Sequence, residues 1–546
     1  MSALKKKMLV TCALPYANGP IHIGHLLEHI QADIWVRYQR LRGHVVFFIC
    51  ADDTHGTAIM MKSNKLGISS EEMIKDILLE HINDFSSFDI SHDNYYTTHS
   101  EENLFFLKKF FAVFKNKKLI IEKKIDQLYD PVKNIFLPDR FIKGQCPICH
   151  ISDQYGDNCN SCGSIYNSIE LLNPRSILSG AHPILRSSVH LFFDVPHFKN
   201  MLYTWIYSGV LDHQVINKVK EWFVTGLKEW DISRDGPYFG FEIPNYNNKY
   251  FYVWLDAPIG YISSFKNFCF KNKKICFEDF WKIDSDAHLY HFIGKDIVYF
   301  HSLFWPAILD SVEWRKPTKI FVHGYVTIKG LKLSKSQGSA ILAKDWIKYC
   351  DSDSLRYYYA SKLSSNMNDI EIDGKELILK VNADIVNKVI NLASRTAVII
   401  NKYFNSILSS KIDDMNLYEN FVSYTEHISF NLEHREYSKA IRNIMKYADL
   451  GNQYINFRKP WMLLKTKKNI EEVQDICSMG INLFRIIMVW LKPIVPNLAR
   501  NTELFLRTEL LWKTIHVPLL SHEIAVFQPL YQRLDWGVIQ NIFHNF

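Results

Sequence analysis

The chain has 546 residues and a formal net charge of +7 at pH 7, a modest excess that is compatible with a nucleic-acid partner without identifying one. This length exceeds what one hydrophobic core supports, so we expect roughly two to four domains. Hydrophobic residues make up 47% of the chain, yet no apolar run reaches the ~18 to 20 residues that a membrane span requires. The chain has ten cysteines, and its apolar run at 8–14 is too short for a secretory signal, so we expect reduced thiols, a cytoplasmic protein and no membrane partner.

The first 117 residues have the pattern of the first half of a nucleotide-binding α/β unit. In chain order the predicted elements are a strand at 8–14, a helix at 26–39, a strand at 45–51 and amphipathic helices at 69–88 and 101–117. Residues 118–233 interrupt this unit as an insertion with short strand-like pieces such as 188–195.

The α/β pattern resumes at 234–325 as the second half of the same unit. Its apolar runs are typical of parallel strands buried on both faces, and they lie at 251–255, 289–293 and 319–323. After a connecting region at 326–388, the apolar period turns helical through 389–546, with helices predicted at 389–404, 417–432, 438–456 and 470–491. The predicted fold class is therefore α/β, a Rossmann-like parallel sheet interrupted by an insertion and followed by an all-α helical bundle.

Two short motifs more than three hundred residues apart carry most of the chemical information. Residues 22–25, HIGH, open a helix after a strand and a turn, where unsatisfied N–H groups and the helix dipole favour phosphate. Residues 332–336, KLSKS, form a loop between Gly330 and Gly338 that is suited to closing over a polyphosphate. Either motif alone is weak, since the first arises by chance and the second is usually a solvated basic loop. Together, in this order, they predict an enzyme that acts on the α-phosphate of ATP.

Four cysteines have the spacing of a zinc knuckle, in two CxxC pairs separated by nine residues. Four thiolates complete a closed tetrahedral site with no position for water, so we predict one structural zinc ion and no zinc chemistry. The alternative is two disulfides or free thiols, which a reducing compartment disfavours. The predicted ligands are Cys146, Cys149, Cys159 and Cys162.

Longer segments resemble one family, the methionyl-tRNA synthetases of class I, over nearly the whole chain. The resemblance rests on TCALPYANG at 11–19, ADDTHG at 51–56, YVWLDAPIGY at 252–261 and FIGKD at 292–296. One departure is Leu333, where the family usually has methionine, and this swap nearly conserves volume. The resemblance implies a ligase that activates L-methionine with ATP, accompanied by Mg²⁺, to methionyl-adenylate and pyrophosphate. It then transfers the methionyl group to the 3′-terminal adenosine of initiator and elongator methionine tRNAs.

The expected methionine pocket combines one carboxylate with an apolar, aromatic slot. Asp53 follows a predicted strand at the edge where α/β sheets bind ligands, so it can hold the substrate ammonium; the alternative is that Asp52 or Asp53 caps the next helix. The resemblance assigns the Tyr261 hydroxyl and the Leu14 N–H to the thioether sulfur, whereas without the resemblance Trp254 and Tyr261 would more often be core aromatics. The predicted methionine-binding residues are Ala13, Leu14, Tyr16, Asp53, Trp254, Ala257, Pro258, Tyr261 and His301.

The expected ATP site uses both motifs. The predicted catalytic residues are His22, His25, Lys332 and Lys335, and the predicted ATP-binding residues are His22, Gly24, His25, Asp296 and Lys335. Arg234 is included as a further active-site residue by resemblance. For Arg234 and Asp296 the competing interpretation is a surface or interstrand ion pair.

The helical region is expected to bind the anticodon. Asn387, Asn391 and Arg395 recur every four residues and so share one helix face, and Trp461 can stack on a base. By composition alone Trp461 would be a core residue; the resemblance assigns Asn391, Arg395 and Trp461 to anticodon binding. Because no dimerising appendage resembling that of some family members follows, we expect a monomer.

Three rival functions were weighed. Synthetases for leucine, isoleucine or valine share both motifs but are typically much longer, because they carry a large editing insertion. Small HxGH nucleotidyltransferases lack the zinc insertion and the helical region. A non-catalytic zinc-containing RNA-binding protein would not need His22, His25, Lys332 and Lys335.

Overall fold

The computed structural model describes residues 5–156, 159, 161–162, 164, 166–332, 340–466 and 469–543, except for the side chains of 140, 331–332 and 466. In chain order the strands are β1 Lys7–Cys12, β2 Val45–Asp52, β3 Asn94–Thr97, β4 Ile120–Asp130, β5 Ile135–Phe136, β6 Ile142–Gln145, β7 Gln154–Tyr155, β8 Leu172–Ser176, β9 Ile184–Phe193, β10 Trp230–Asp231, β11 Ser233–Asp235, β12 Lys249–Phe251, β13 His288–Gly294, β14 Lys319–His323, β15 Val326–Ile328, β16 Leu331–Lys332 and β17 Ile370–Glu371.

The α-helices are α1 Ile23–Leu41, α2 Thr57–Leu66, α3 Ser70–Ser87, α4 Glu101–Asn116, α5 Lys199–Trp205, α6 His213–Thr225, α7 Val253–Lys271, α8 Glu278–Trp281, α9 Trp305–Ser311, α10 Ala343–Ile347, α11 Ser352–Lys362, α12 Gly374–Val381, α13 Asn391–Tyr403, α14 Met415–Glu433, α15 Tyr437–Arg458, α16 Pro460–Thr466, α17 Ile470–Leu491, α18 Pro496–Leu506 and α19 Trp536–Ile539. Three π-helical segments extend or precede them, at Ile206–Val210, Phe300–Phe304 and Asn382–Ile390.

A five-stranded parallel sheet lies at the centre of the catalytic part, in the order β14-β13-β1-β2-β3. Five of the six residues of β1 are buried, which is what a central strand covered on both faces requires. β1 pairs with β2 on one side and with β13, which follows the insertion, on the other. The predicted interrupted parallel sheet is thus confirmed. The strand order reverses between β1 and β13, and ligands of such sheets bind at the carboxyl ends beside that reversal.

The strand predicted at 251–255 is wrong for most of its length. β12 ends at Phe251 and pairs antiparallel with β11, outside the central sheet. Tyr252 is extended and caps α7, which begins at Val253. A short apolar run cannot distinguish a buried strand from the start of a buried helix, and here the helix continues far beyond the run.

The insertion is a mainly antiparallel unit. β4 and β9 form a long antiparallel pair, to which β10 and β5 add at the two edges. A second small sheet, in the order β7-β6-β8, lies beside the four cysteines. The predicted strand at 188–195 corresponds to the end of β9, shifted by two residues.

The connecting region returns the chain to the start of α1. β15 forms a hairpin with β16 and pairs parallel with β17. The backbone N–H of Ile23 donates to the carbonyl of Ile341 at 2.9 Å, and the N–H of Ala343 donates to the carbonyl of Ile21 at 2.9 Å. Residues 341–343, which follow the lysine loop in the chain, are therefore hydrogen-bonded beside the HIGH motif.

Helices α13 to α18 form the C-terminal bundle, as the helical period predicts. α17 is its central helix and packs against α13, α15 and α16. Among the described helices α17 is the one with the length and composition of a possible membrane span, but 94% of its most apolar window is buried inside the protein. Its bounds coincide with the predicted helix at 470–491. Arg356 in α11 connects the bundle to the catalytic part: its guanidinium donates to Asp33 in α1 at 2.7 Å and to the carbonyl of Pro493 at 3.0 Å.

Candidate active site

A cavity of about 900 Å³ opens at the carboxyl end of the central sheet. Its walls come from the segment after β1, the segment after β2, the first turns of α7, and the π-helical segment before α9. The insertion closes one side with residues of β4 and β5. The lining contains every predicted methionine-binding residue and the predicted active-site arginine: Ala13, Leu14, Tyr16, Asp53, Arg234, Trp254, Ala257, Pro258, Tyr261 and His301.

Asp53 presents to this cavity a carboxyl group with one unpartnered oxygen. Its Oδ1 is buried and has no hydrogen-bond partner among the described residues. Burial raises the pKa of the Asp53 carboxyl well above its usual range, and the nearby carboxylates of Asp256 and Asp52 raise it further. A group in this state binds a cation well, because a cation supplies the missing partner.

Asp52, the neighbouring carboxylate, is bonded inside the protein through one of its two oxygens. Its Oδ1 accepts hydrogen bonds from the His81 ring at 2.7 Å and from the Tyr95 hydroxyl, whereas its Oδ2 is buried without a partner among the described residues. Neither aspartate caps the following helix, since the N-cap of α2 is Gly56, so the capping alternative is wrong. The two aspartates differ in position, because Asp53 lines the cavity and Asp52 does not.

A tyrosine and a histidine form the buried end of the cavity. The Tyr261 hydroxyl lies 2.9 Å from Nε2 of His301, and Nδ1 of His301 lies 3.1 Å from the carbonyl of Ile297. A carbonyl only accepts, so Nδ1 carries the hydrogen, and burial lowers the pKa of His301 to about 4. The histidine is therefore neutral at pH 7, and its Nε2 accepts the hydrogen of Tyr261.

Aromatic rings form the rest of the slot. Trp254 is 38% exposed, with ring centroids 5.7 Å from Trp230 and 5.5 Å from Phe300. It is therefore not a core residue in the sense of the composition-based alternative. Tyr261, by contrast, is fully enclosed at 2% exposure, so its hydroxyl is the only part of the side chain that can act chemically.

Two interpretations of Arg234 were open, a residue of the active site and a member of an ion pair, and its position is compatible with both. Its Nη1 donates to Asp231 at 2.7 Å and to the carbonyl of Ser233 at 2.6 Å. Its guanidinium also stacks on Tyr252, 3.6 Å from the ring centre. The interstrand ion pair thus exists, and the same residue lines the cavity.

A buried chain of polar groups behind the cavity was missed by the sequence analysis. His55 contacts Oδ2 of Asp256 at 2.6 Å through Nδ1 and His99 at 2.9 Å through Nε2. Burial raises the pKa of Asp256 well above its usual range and lowers the pKa of His55 to about 3. Both residues lie in segments that carry the family resemblance, which was the available signal. Their pairing across about two hundred residues has no signature in the sequence.

The two histidines of the HIGH motif lie outside the lining of this cavity, at the N-terminus of α1. Their rings stack with centroids 3.7 Å apart, and the backbone N–H of His22 donates to Nδ1 of His25 at 3.3 Å. A Cβ on Gly24 would lie 2.9 Å from the His22 ring. A side chain at Gly24 would therefore displace the His22 ring, besides blocking the close approach of a nucleotide that the sequence predicts.

The other predicted ATP residues are only partly described. Asp296 lies in the turn Lys295–Ile297 directly after β13, with its Oδ1 over Gly294. Lys332 ends β16, where its backbone pairs with Thr327. Lys335 lies outside the described residues. The HIGH motif, Asp296 and β16 all belong to segments at the carboxyl edge of the sheet or adjoining it.

The four cysteines of the insertion converge. Cys146 and Cys162 have sulfurs 3.8 Å apart, and Cys149 and Cys159 have sulfurs 3.5 Å apart. All four sulfurs lie within 4.8 Å of one another, and none forms a disulfide. Sulfur atoms bonded to one tetrahedral ion at about 2.3 Å would be about 3.8 Å apart, so these residues form a cluster that could bind a metal ion.

The predicted anticodon residues lie together on the bundle. The guanidinium of Arg395 lies over the Trp461 ring at 4.5 Å and donates to Asn456 at 2.7 Å. Asn391, one turn earlier on α13, donates to Asn452 at 3.1 Å. Trp461 is half-buried and packs partly against the core, so one face touches the bundle and the other meets the arginine.

Comparisons with known proteins agree with this architecture. The model for class I tRNA synthetases (M) matches residues 8–397, and the model for the anticodon binding domain of methionyl tRNA ligase matches residues 410–522. The methionine–tRNA ligase of Buchnera aphidicola subsp. Acyrthosiphon pisum (strain APS) is 61% identical, with 98% of each chain covered. That of Buchnera aphidicola subsp. Baizongia pistaciae (strain Bp) is 58% identical, with 97% of this chain and 98% of the relative covered.

Solved structures show the same fold. Mycobacterium tuberculosis methionyl-tRNA synthetase in complex with methionyl-adenylate superimposes with a TM-score of 0.80 at 19% identity, covering 97% of this chain and 100% of that chain. The apo form of that protein gives a TM-score of 0.73 at 18% identity, covering 97% and 99%. At this identity the likeness is one of fold.

Proposed function

We propose a residue-level mechanism for this chain, which belongs to the methionyl-tRNA synthetases of class I. The activity is that of a methionine–tRNA ligase, which joins an amino acid to tRNA. Another class I synthetase activity for an apolar amino acid is not favoured by these relatives. What remains to be assigned is which side chains hold methionine, ATP and tRNA.

Asp53 would bind the ammonium group of methionine, and the observation that carries this assignment is its buried, partnerless Oδ1 at the cavity wall. Holding the ammonium leaves the carboxylate of the amino acid free to attack the α-phosphorus of ATP. Because the pKa of Asp53 is raised, chiefly by burial, the free carboxyl takes up a proton more readily than an ordinary aspartate. Methionine binding should therefore weaken as the pH falls through that raised pKa.

The thioether would lie between the aromatic rings and the Tyr261–His301 pair, within the slot formed by Ala13, Leu14, Tyr16, Trp254, Ala257, Pro258, Tyr261 and His301. A thioether sulfur is a weak acceptor, so it needs a donor. In this structure the Tyr261 hydroxyl donates to His301. We therefore assign the first contact to the Leu14 N–H, with Tyr261 able to donate only when its bond to His301 is exchanged.

ATP would bind across the N-terminus of α1, with His22 and His25 donating to its phosphates and Gly24 beneath the nucleotide. Asp296 and Arg234 would contact the nucleotide and the reacting groups from the opposite side. Lys332 and Lys335 would close on the pyrophosphate as its charge develops, and Mg²⁺ would enter with ATP as its usual companion. Such phosphoryl chemistry depends on positioning and charge stabilisation and needs no protein nucleophile.

The remaining assignments concern the other parts of the chain. We propose a catalytic domain in two halves, 1–117 and 234–325, separated by an insertion at 118–233 that a structural zinc ion holds together. A lysine-loop domain at 326–388 and an anticodon-binding domain at 389–546 follow. Cys146, Cys149, Cys159 and Cys162 would hold the zinc ion, and their mutual spacing supports this. Asn391, Arg395 and Trp461 would bind the CAU anticodon of initiator and elongator tRNAs. A monomer in the cytoplasm is proposed from the sequence resemblance alone.

The decisive experiment is amino-acid-dependent ATP–pyrophosphate exchange with the full set of amino acids. We expect methionine to be the preferred substrate, and Asp53→Asn to remove most of the exchange while Asp126→Asn, a substitution at the insertion side of the same cavity, changes it little. If Asp53→Asn retained wild-type exchange at low methionine concentration, the ammonium site would have to be elsewhere.

A further inference from the structure

A buried imidazole joins the insertion to the catalytic half beside the cavity. His190 lies on β9 of the insertion and is 0% exposed. Its Nδ1 is 2.8 Å from Oδ2 of Asp231, and its Nε2 is 3.1 Å from Oδ2 of Asp235. Neither the metal cluster nor the assigned substrate contacts include this group.

The geometry defines the protonation state of this ring. A carboxylate accepts hydrogen bonds and donates none, so each ring nitrogen facing one must carry a hydrogen. Burial lowers the pKa of His190, but the bonds to the two aspartates outweigh it, so the pKa is raised above its usual value. Burial raises the pKa of Asp235, whereas its bonds with His190 and Lys249 lower it more, to about 2. The ring is thus an imidazolium held between two ionised carboxylates.

Asp231 connects this imidazolium to the cavity. The same Oδ2 that accepts from His190 also accepts from Nη1 of Arg234 at 2.7 Å. Arg234 in turn stacks on Tyr252 and lines the cavity. The orientation of the arginine therefore depends on a carboxylate whose own position depends on His190.

Every neighbouring strand presents charged groups to this site. β10 brings Asp231, and β11 brings Arg234 and Asp235. From β12, Lys249 donates to Asp235 at 2.5 Å and to Ser188 of β9 at 2.7 Å. Across the insertion sheet, the residue paired with His190 is Lys123, whose ammonium bonds to Glu229 at 2.9 Å.

The balance of these charges shows what deprotonation would do. Among the contacting groups, Arg234 and Lys249 are cations and the two aspartates are anions, so the imidazolium adds one positive charge that both carboxylates share. If it lost a proton, one ring nitrogen would present a lone pair to a carboxylate oxygen, and that contact would be repulsive. The displaced aspartate would be either Asp231, which holds Arg234, or Asp235, which is held by Lys249.

We propose that His190, as an imidazolium, is a positioning residue that keeps Arg234 directed at the reacting groups and fixes the insertion against the catalytic half. The inference rests on the proposed role of Arg234 in methionine activation. It also predicts that activation declines as the pH rises through the titration of His190.

The test measures methionine-dependent ATP–pyrophosphate exchange from pH 6 to pH 9 for wild type, His190→Gln and the control His182→Gln, an exposed histidine of the same insertion. We expect His190→Gln to lower kcat about ten- to a hundredfold at neutral pH, since misplacing a reacting group by about 1 Å can cost about 10²-fold. The variant should also lack the fall in exchange rate at alkaline pH that the titration of His190 causes in the wild type. His182→Gln should match the wild type in both rate and profile.

Coupling to Arg234 distinguishes positioning from general loss of stability. In an Arg234→Ala background, His190→Gln should cause little further loss, whereas a merely structural role would lower the rate by the same factor in both backgrounds. Equal factors, or an alkaline decline that persists in His190→Gln, would overturn the inference. Wild-type protein without methionine-dependent exchange would instead overturn the proposed function itself.

A direct titration covers the case in which His190→Gln does not fold. Protein labelled with ¹³C at the histidine Cε1 position would be titrated by NMR. The His190 signal would be assigned by its absence from the spectrum of a variant without this histidine, either the double variant Asp231→Asn/His190→Gln or the single variant His190→Asn. We expect His190 to titrate above the ordinary histidine value. Titration at or below that value would show that the ring is neutral and would refute the proposal.

Discussion

Substituting asparagine for Asp53 or for Asp52 distinguishes a carboxylate that binds substrate from one that stabilises the fold. Asp53→Asn conserves shape and removes the charge of a group whose Oδ1 is buried without a partner in the described protein. Asp52→Asn, one residue earlier, removes the charge of a carboxylate that accepts hydrogen bonds from His81 and Tyr95. The two substitutions are chemically identical and lie at the same strand end, so each is the control for the other.

The expected changes in stability have opposite signs. A buried polar group without a hydrogen-bond partner lowers the free energy of unfolding by about 1 to 3 kcal/mol. Removing the hydrogen bonds of a buried group that has partners lowers it by about the same amount. Asp53→Asn should raise the free energy of unfolding at pH 7.5, because it removes a charge whose burial raises the pKa of the carboxyl, whereas Asp52→Asn should lower it by about 1 to 3 kcal/mol. At about 2.1 cal/mol/K per residue of unfolding entropy, 1 kcal/mol corresponds to about 1 °C in a chain of this length if it unfolds cooperatively.

The pH dependence of the Asp53 effect follows from the direction of its pKa. The pKa is raised in the folded protein, chiefly by burial, so the folded state binds more protons than the unfolded state between the two pKa values. Stability contributed by this group therefore falls as the pH rises through that window. The advantage of Asp53→Asn should vanish near pH 4, where both states are protonated, and reach its full size above the folded pKa.

Activity should move in the opposite direction to stability. Removing the carboxylate leaves the substrate ammonium buried without its partner, which costs about 3 to 5 kcal/mol, or roughly 10² to 10⁴-fold in kcat/KM for methionine. Differential scanning fluorimetry across pH and ATP–pyrophosphate exchange measure the two effects. If Asp53→Asn destabilised the protein as Asp52→Asn does, or left methionine activation intact, the reasoning would be refuted.

Four further outcomes are expected. Lys335→Ala should slow adenylate formation by orders of magnitude with methionine affinity nearly unchanged, because the lysine acts on charge that develops in the transition state; single-turnover kinetics and equilibrium dialysis measure the two. Metal analysis should find one zinc ion per chain, and Cys159→Ser should lower that content and increase proteolysis of the insertion. Trp461→Ala should weaken aminoacylation about ten- to a hundredfold, from a stacking energy of about 1 to 3 kcal/mol, while pyrophosphate exchange stays near wild type; parallel losses would make it a structural residue. Arg356→Met should lower the free energy of unfolding by about 3 to 5 kcal/mol, because it leaves Asp33 with Arg37 as its remaining arginine partner and removes the donor from the buried carbonyls of Phe88, Pro493 and Ile494.

Much of the fold is visible in the sequence because the strands of a parallel sheet are buried on both faces. The runs at 45–51, 289–293 and 319–323 correspond to β2, β13 and β14. The run at 251–255 failed because apolar composition alone does not determine backbone conformation. Strand order is a different kind of information: nothing in the local pattern indicates that β1 pairs with β13, 280 residues later.

The candidate site divides in the same way. Most of the predicted residues of the cavity wall could be found because they belong to segments that resemble the family. Charge and protonation were not accessible, since they depend on contacts between distant segments. That Asp53 lines the cavity with an Oδ1 that has no partner among the described residues, or that Arg234 shares Asp231 with His190, is visible only in the folded chain.

Two kinds of ionisable group surround the cavity. In one kind the neutral form is favoured, since burial lowers the pKa of His301 to about 4 and raises the pKa of Asp53. In the other kind, at the contact with the insertion, ionised groups are paired, as His190 is with Asp231 and Asp235. A low-dielectric cavity strengthens whatever charge enters it, so the substrate ammonium is a strong partner for Asp53, whose Oδ1 has none among the described residues. The paired charges at the contact with the insertion can then hold Arg234 in place without competing for that ammonium.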